Sequence, residues 1–146
     1  MYNSATMRFK LHHDEYGRLT PIEGGVDIPF KIKRVYYIYD VQPEVTRGYH
    51  SHRKLHQVLI ALGGSVKIRL RTPESEQLIE LNDPTEGLYI GPHVWREMSD
   101  FSPGAVLLVL ASDKYDAGDY VRGFEEYVRQ NPLTSHPSAM DNPAPA

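Results

Sequence analysis

The chain contains no cysteine among its 146 residues, which excludes disulfide bridges and thiolate metal sites and fits a reducing compartment. It also lacks a basic stripe. Its 16 Lys and Arg stand against 19 Asp and Glu, a formal charge of -3, and the cations are evenly scattered. Nucleic-acid binders need clustered positive charge, so nucleic acid is not an expected partner. No apolar run approaches the roughly 18 residues of a membrane helix. The N-terminal stretch MYNSATMRFKLHHDEYG has no basic-then-apolar leader pattern. A soluble cytoplasmic protein without a membrane partner is the expectation. Internal repeats are absent, and a chain of this length suits one domain with a real core.

What is present is mostly β signal. Lys33 to Val41 (KRVYYIYDV) and His56 to Leu62 (HQVLIAL) are short and rich in β-branched and aromatic residues. Gly63-Gly64 then precedes Ser65 to Leu70, where Val66, Ile68 and Leu70 alternate with Lys67 and Arg69. Two glycines between such runs predict a tight hairpin. Turns at Thr72-Pro73-Glu74-Ser75 and Asn82-Asp83-Pro84 bracket a strand at Gln77 to Leu81, and further strands are expected at Leu88 to Ile90, Trp95 to Met98 and Ala105 to Ala111. Regular short strands separated by turn residues predict an all-β antiparallel sandwich or barrel of the jelly-roll type. One C-terminal helix is predicted over Asp119 to Gln130, with Asp119 as its N-cap and Tyr120, Phe124, Tyr127 and Val128 at helical spacing. The domain is expected to span 1–130. Residues 131–146 carry four prolines and read as a mobile tail in which His136 is incidental.

Chemistry concentrates in Arg47-Gly48-Tyr49-His50-Ser51-His52. Residues i and i+2 of a strand share a face, so His50 and His52 can address one bound molecule. Such a pair either holds a metal or transfers protons near neutral pH. In metal-binding cupins, the small β-barrels that most often carry His-x-His, a carboxylate follows three or four residues later and a further His lies on a later strand. Here those places hold His56 and Gln57, and Gly91-Pro92-His93-Val94-Trp95-Arg96 puts Arg96 in the later one. A guanidinium has no lone pair for a metal. His56 or His93 could substitute, but three or four donors must converge for a stable site, so no metal and no other cofactor is expected.

The runs RGYHSHRKLHQVLIALGGSVKIRL, GLYIGPHVWREMSDFSPGAVLLVLASDKYD and DYVRGFEEY, with the earlier TPIEGGVDIPFKIKRVYYIYDV, resemble the cupin-fold sugar-nucleotide 3,4-ketoisomerases. The likeness covers about residues 7 to 130, and its most specific element joins Arg-Gly-x-His-x-His to Val-Trp-x-Glu-Met. The resemblance implies a metal-free cupin jelly roll acting on dTDP-4-keto-6-deoxyglucose in deoxyamino-sugar biosynthesis. It also implies a homodimer with shared active sites; an exposed aromatic strand at Val35 to Tyr39 would suit such an interface. It implies His52 as carbon base and His50 as oxygen shuttle, and the reverse division fits the same spacing.

For the substrate, Arg34, Arg47 and Arg69 are candidates for the diphosphate, because the guanidinium fork pairs with phosphate oxygens. Arg122 lies further off. Tyr37 and Tyr39 share a strand face and are candidates for stacking on thymine or bonding phosphate. Trp95 reads as a core aromatic and Glu97 as inward and polar, while His12 and His13 are expected in solvent. The combination of Tyr16 with Arg96 resembles the branch of the family that leaves a gluco product, dTDP-3-keto-6-deoxyglucose. Rival readings are a galacto-product isomerase, a 3,5-epimerase on the same substrate, a metal-dependent cupin oxygenase and a nucleotide-sugar-binding module without turnover.

Overall fold

The structure, a computed structural model, describes residues 1–132; most of the expected tail, His136 included, lies outside them. Strands β1 (Ser4–Arg8), β2 (His12–Asp14) and β3 (Gly17–Leu19) come first, followed by β4 (Arg34–Tyr39), β5 (Arg47–His52), β6 (Gln57–Gly63) and β7 (Val66–Thr72). Then come β8 (Ser75–Leu81), β9 (Glu86–Ile90), β10 (Trp95–Ser99) and β11 (Val106–Ala111). A 3-10 turn at Ala117–Asp119, strand β12 (Tyr120–Arg122) and helix α1 (Phe124–Gln130) follow. Two five-stranded sheets result, ordered β1-β9-β6-β11-β4 and β12-β5-β10-β7-β8, with antiparallel pairing throughout. This is the expected all-β jelly roll with a C-terminal helix.

Alternation decides which side chains meet between the sheets. On β7, Val66, Ile68 and Leu70 are fully buried, and they join Leu59, Leu107 and Val109 from the facing sheet in the main core. Strand β6 is buried on both faces. Val58 and Ile60 point away from that core into a second cluster with Phe9, Ile28 and Phe30, which is why its sequence shows an unbroken apolar run. A third cluster lies on the outside of the second sheet, where Trp95 packs against Val121 and Tyr127.

Two expectations change. Gly63-Gly64 does not close a hairpin: β6 pairs with β9 and β11, whereas β7 pairs with β8 and β10, so the turn carries the chain from one sheet to the other. Gly64 has φ +67, and a Cβ there would sit 2.4 Å from Ser102 Oγ. Positive φ and close packing thus demand glycine at a crossover as strictly as at a hairpin. The C-terminal helix is also shorter than its apolar spacing predicts. Tyr120–Arg122 extends along β5 as a strand, and Gly123, at φ 103, turns the chain into α1.

Gly48 shapes the functional segment. Its φ is +96, and a Cβ would lie 2.9 Å from the Arg96 carbonyl oxygen. Tyr49 is left-handed too (φ 55), and the β5–β10 register shifts between Arg96 and Glu97. This bulge puts His50 directly opposite Arg96, with both side chains buried.

Candidate active site

One end of the space between the sheets is polar. From the second sheet, β5 contributes His50 and His52, β12 places Tyr120 beside His52 and Arg122 beside His50, and β10 supplies Arg96. From the facing sheet come Arg34 and Tyr36 on β4 and Gln57 at the start of β6. His50, His52, Gln57 and Arg96 are all buried. The imidazoles meet edge to face with centroids 4.9 Å apart, and Tyr120 packs on both, at 4.9 and 4.3 Å.

Each imidazole is held through Nδ1. That of His50 lies 2.9 Å from the Gly48 carbonyl oxygen, and that of His52 lies 3.1 Å from Asp119 Oδ2. Both acceptors call for a proton on Nδ1, leaving Nε2 with its lone pair. Asp119 is itself fixed: its carboxylate accepts from the Lys54 amide at 2.8 Å and the Leu55 amide at 3.2 Å. Burial, followed by the nearby Arg96 cation, lowers the His50 pKa to about 3 and depresses that of His52 strongly. Both rings are therefore neutral at physiological pH.

Arg96 is a wholly buried cation whose hydrogen-bond partners are neutral. It donates to Gln57 Oε1 and, at 3.3 Å, to the Val94 carbonyl. Burial lowers its pKa to about 10, so it keeps its charge. Gln57 Nε2 in turn donates to the Tyr36 hydroxyl at 2.9 Å. Three buried polar atoms in this cluster have no hydrogen-bond partner among the described residues: Arg34 Nε, His52 Nε2 and Arg96 Nε. Buried polar atoms are rarely left so, and their gathering here marks a place for a polar ligand. A cavity of about 400 Å³ opens on the His50 side, lined by Arg34, Tyr36, Arg47, Tyr120 and Arg122 among others. A smaller recess of about 60 Å³ lies on the His52 side, where Arg34, Lys54, Asp119 and Tyr120 contribute.

Of the residues expected from sequence, His50, His52, Arg34, Arg47 and Arg96 meet at this cavity or beneath it. Others do not. Tyr37 and Tyr39 point outward from β4 and are 60% and 58% exposed, with only Tyr37 reaching the cavity rim. Tyr36 faces inward instead, on the β4 face it shares with Arg34 and Ile38, a choice of face that tyrosines at 36, 37 and 39 do not reveal in the sequence. Arg69 and Glu97 lie on the outer face of the second sheet, in an ion-pair group with Glu76 and Arg71. There Glu97 accepts from Trp95 Nε1 at 2.8 Å, so it faces away from the imidazoles. Tyr16 is 89% exposed in the turn of the β2–β3 hairpin and lines neither space at the imidazoles. His12 and His13 are exposed as expected.

Sequence reasoning missed Asp119, Tyr120, Tyr36 and the bonding of Gln57. Asp119 reads as a helix cap and Tyr120 as a helix-face residue, and only their pairing with β5 reveals another part. His56 Nδ1 bonds the Tyr89 hydroxyl at 2.5 Å. Among the described residues, no three His, Cys, Asp or Glu side chains form a group able to hold a metal.

Known proteins similar to this chain identify its family. The family model FdtA: WxcM-like, C-terminal matches residues 2–131. A TDP-4-oxo-6-deoxy-alpha-D-glucose-3,4-oxoisomerase of Aneurinibacillus thermoaerophilus is 49% identical over 121 residues, 83% of this chain and 87% of that protein. A mutant of the 3,4-ketoisomerase QdtA from Thermoanaerobacterium thermosaccharolyticum, solved with TDP-4-keto-6-deoxyglucose, is 60% identical with a TM-score of 0.89, covering 93% of this chain and 97% of that one. The WlaRB TDP-quinovose 3,4-ketoisomerase of Campylobacter jejuni is 46% identical with a TM-score of 0.85, over 88% and 99% of the two chains. This chain therefore belongs to the FdtA (WxcM-like, C-terminal) family of cupin-fold 3,4-ketoisomerases.

Proposed function

We propose that this protein converts dTDP-4-keto-6-deoxyglucose to dTDP-3-keto-6-deoxyglucose by metal-independent proton transfer between the two imidazoles and the sugar. The carrying observation is the pair of neutral, Nδ1-anchored imidazoles set against a buried guanidinium. One imidazole takes the C3 proton while the C4 carbonyl electrons move to oxygen, giving an enediolate beside Arg96. The second passes the O3 proton to O4. The first then returns its proton to C4 as the C3 carbonyl forms, so both rings end as they began. A neutral ring with a depressed pKa is a weak base, and the reaction depends on the cation to stabilise the enediolate oxygen. Lewis-acid help would need a different donor set, because beside the pair stand a neutral amide and a guanidinium.

Arg34 and Arg47 at the cavity are assigned to the diphosphate. For the gluco product, the support is Arg96 itself together with the likeness to a TDP-quinovose isomerase, quinovose being 6-deoxyglucose. We place Tyr16 in the active site of a second copy of the chain, since in its own chain it lines no space at the imidazoles. The exposed outer face of β4, with Val35, Tyr37 and Tyr39, suits contact between copies.

Incubation with the 4-keto sugar nucleotide in deuterated water tests the reading. Label is expected at C3 of recovered substrate or C4 of product, and in product made in ordinary water the proton coupling at C4 should show an equatorial hydroxyl. Label at C5 would make the protein an epimerase, and an axial C4 hydroxyl would make it a galacto-product enzyme.

The Asp119 carboxylate makes a further expectation. In Asp119→Asn the amide can donate to His52 Nδ1, moving the ring proton to Nε2 and removing the lone pair there. A loss in kcat of about 10²-fold or more is expected, below the roughly 10⁴-fold cost of the same change in the chymotrypsin triad. KM should stay nearly constant. Steady-state kinetics at neutral pH check it, and unchanged kcat would remove Asp119 from the mechanism.

A further inference from the structure

Gln57 opens β6 on the sheet facing the imidazoles, and its side chain is the only link in the described hydrogen bonds between Arg96 and Tyr36. The orientation of its amide follows from chemistry. A guanidinium only donates, so the Gln57 carbonyl must face Arg96, and the amide nitrogen must then face the Tyr36 oxygen. That bond uses one phenol lone pair and leaves the phenol proton free. Tyr36 lines the cavity that His50 also lines. The bonds thus run one way: Arg96 donates to Gln57, Gln57 donates to Tyr36, and Tyr36 can donate to a ligand oxygen.

We propose that Gln57 is a positioning residue for the isomerisation: its neutral amide leaves Arg96 without a counter-ion in hydrogen-bond contact and fixes the Tyr36 hydroxyl as a donor toward the substrate oxygen. This rests on the proton-transfer reading above. A carboxylate at this position would have nearly the same shape and would still bond Arg96. It would also accept the Tyr36 proton, reversing that bond, and would neutralise the guanidinium. The charged and titratable groups around this position and the imidazoles are Arg96 on β10, Arg34 and Tyr36 on β4, His50 and His52 on β5, Tyr120 and Arg122 on β12, Asp119 before it and Tyr127 on α1.

The test is Gln57→Glu, read in two ways. By NMR titration without substrate, the His50 and His52 imidazoles should protonate at higher pH in the variant, because a new anion offsets the cation that depresses them. By kinetics, kcat should fall about 10²-fold, as for the loss of one oxyanion donor, with KM within about threefold. Tyr36→Phe should show a comparable fall, and the double variant should fall no further than the worse single one. Imidazole titrations that do not move, or a kcat within threefold of the wild type, would overturn the proposal. If the added charge prevents folding, Gln57→Met keeps the volume and makes neither bond; a kcat unchanged there overturns the proposal equally. Wild-type protein that fails to turn over the 4-keto sugar nucleotide would count against the functional reading, while the substrate-free titrations still decide the electrostatic role of Gln57.

Discussion

Asparagine in place of either His50 or His52 should leave sugar-nucleotide affinity within a few-fold of the wild type and lower turnover by about 10³-fold or more. Asparagine is polar, of similar size and unable to carry a proton, so the change isolates acid–base function, which typically contributes about 10²- to 10⁴-fold. The upper half of that range is expected because each ring handles its proton twice in one turnover. The two variants should differ in one respect. The one that keeps the carbon base will still exchange the C3 proton of the substrate with deuterated solvent, and the other will not. Titration calorimetry with the 4-keto sugar nucleotide, product assay and mass spectrometry of recovered substrate measure the three quantities. A non-catalytic binding module would show affinity and no turnover before and after either change.

Arg96→Met should be nearly as damaging, for a different reason. The substitution removes the cation beside the developing enediolate, and the loss of one such donor costs about 10²- to 10³-fold in kcat. Thermal stability should not fall in proportion. A fully buried guanidinium held by an amide and a carbonyl carries a desolvation cost that no carboxylate in hydrogen-bond contact offsets, and a thioether of similar length fits an apolar interior. The sign of the pH effect is fixed by the same geometry. Arg96 disfavours the imidazolium of both histidines, so its removal raises their pKa, and for His50 the rise starts from about 3. Burial remains and keeps the value below the ordinary 6.5. The acid limb of kcat/KM should therefore move to higher pH in the residual activity. A large loss of Tm with an unmoved limb would mean that Arg96 serves the fold alone.

The imidazole pair was legible in the sequence because its spacing matches the strand period and both residues sit on one strand. Arg96 was legible from the turn before it. What stayed hidden depends on which strands become neighbours. The tyrosines of β4 are ambiguous by one residue, and a slip of one moves every side chain to the other face. Arg69 and Glu97 belong to alternating patterns that give the period of a strand without saying which side is inside. Asp119 and Tyr120 follow a helix-like spacing that continues into α1, and only the pairing of Tyr120 with His52 reveals an extended backbone. The Gly63-Gly64 turn was placed correctly, yet its partners were not, since a positive-φ glycine marks a sharp bend without naming the sheet that follows.

Strand β12 has a consequence for how the protein comes into being. His50 and His52 lie near the middle of the chain, but the strand that pairs with them begins at Tyr120, and the carboxylate that orients His52 comes at 119. During synthesis β5 must wait, one edge unpaired, until nearly all the described residues have been made. Contacts of such long sequence separation form slowly, because the loop between them must close first. The candidate site is thus among the last parts of the fold to be completed, and a nascent chain that ends before Asp119 carries both imidazoles without the carboxylate and the strand that hold them.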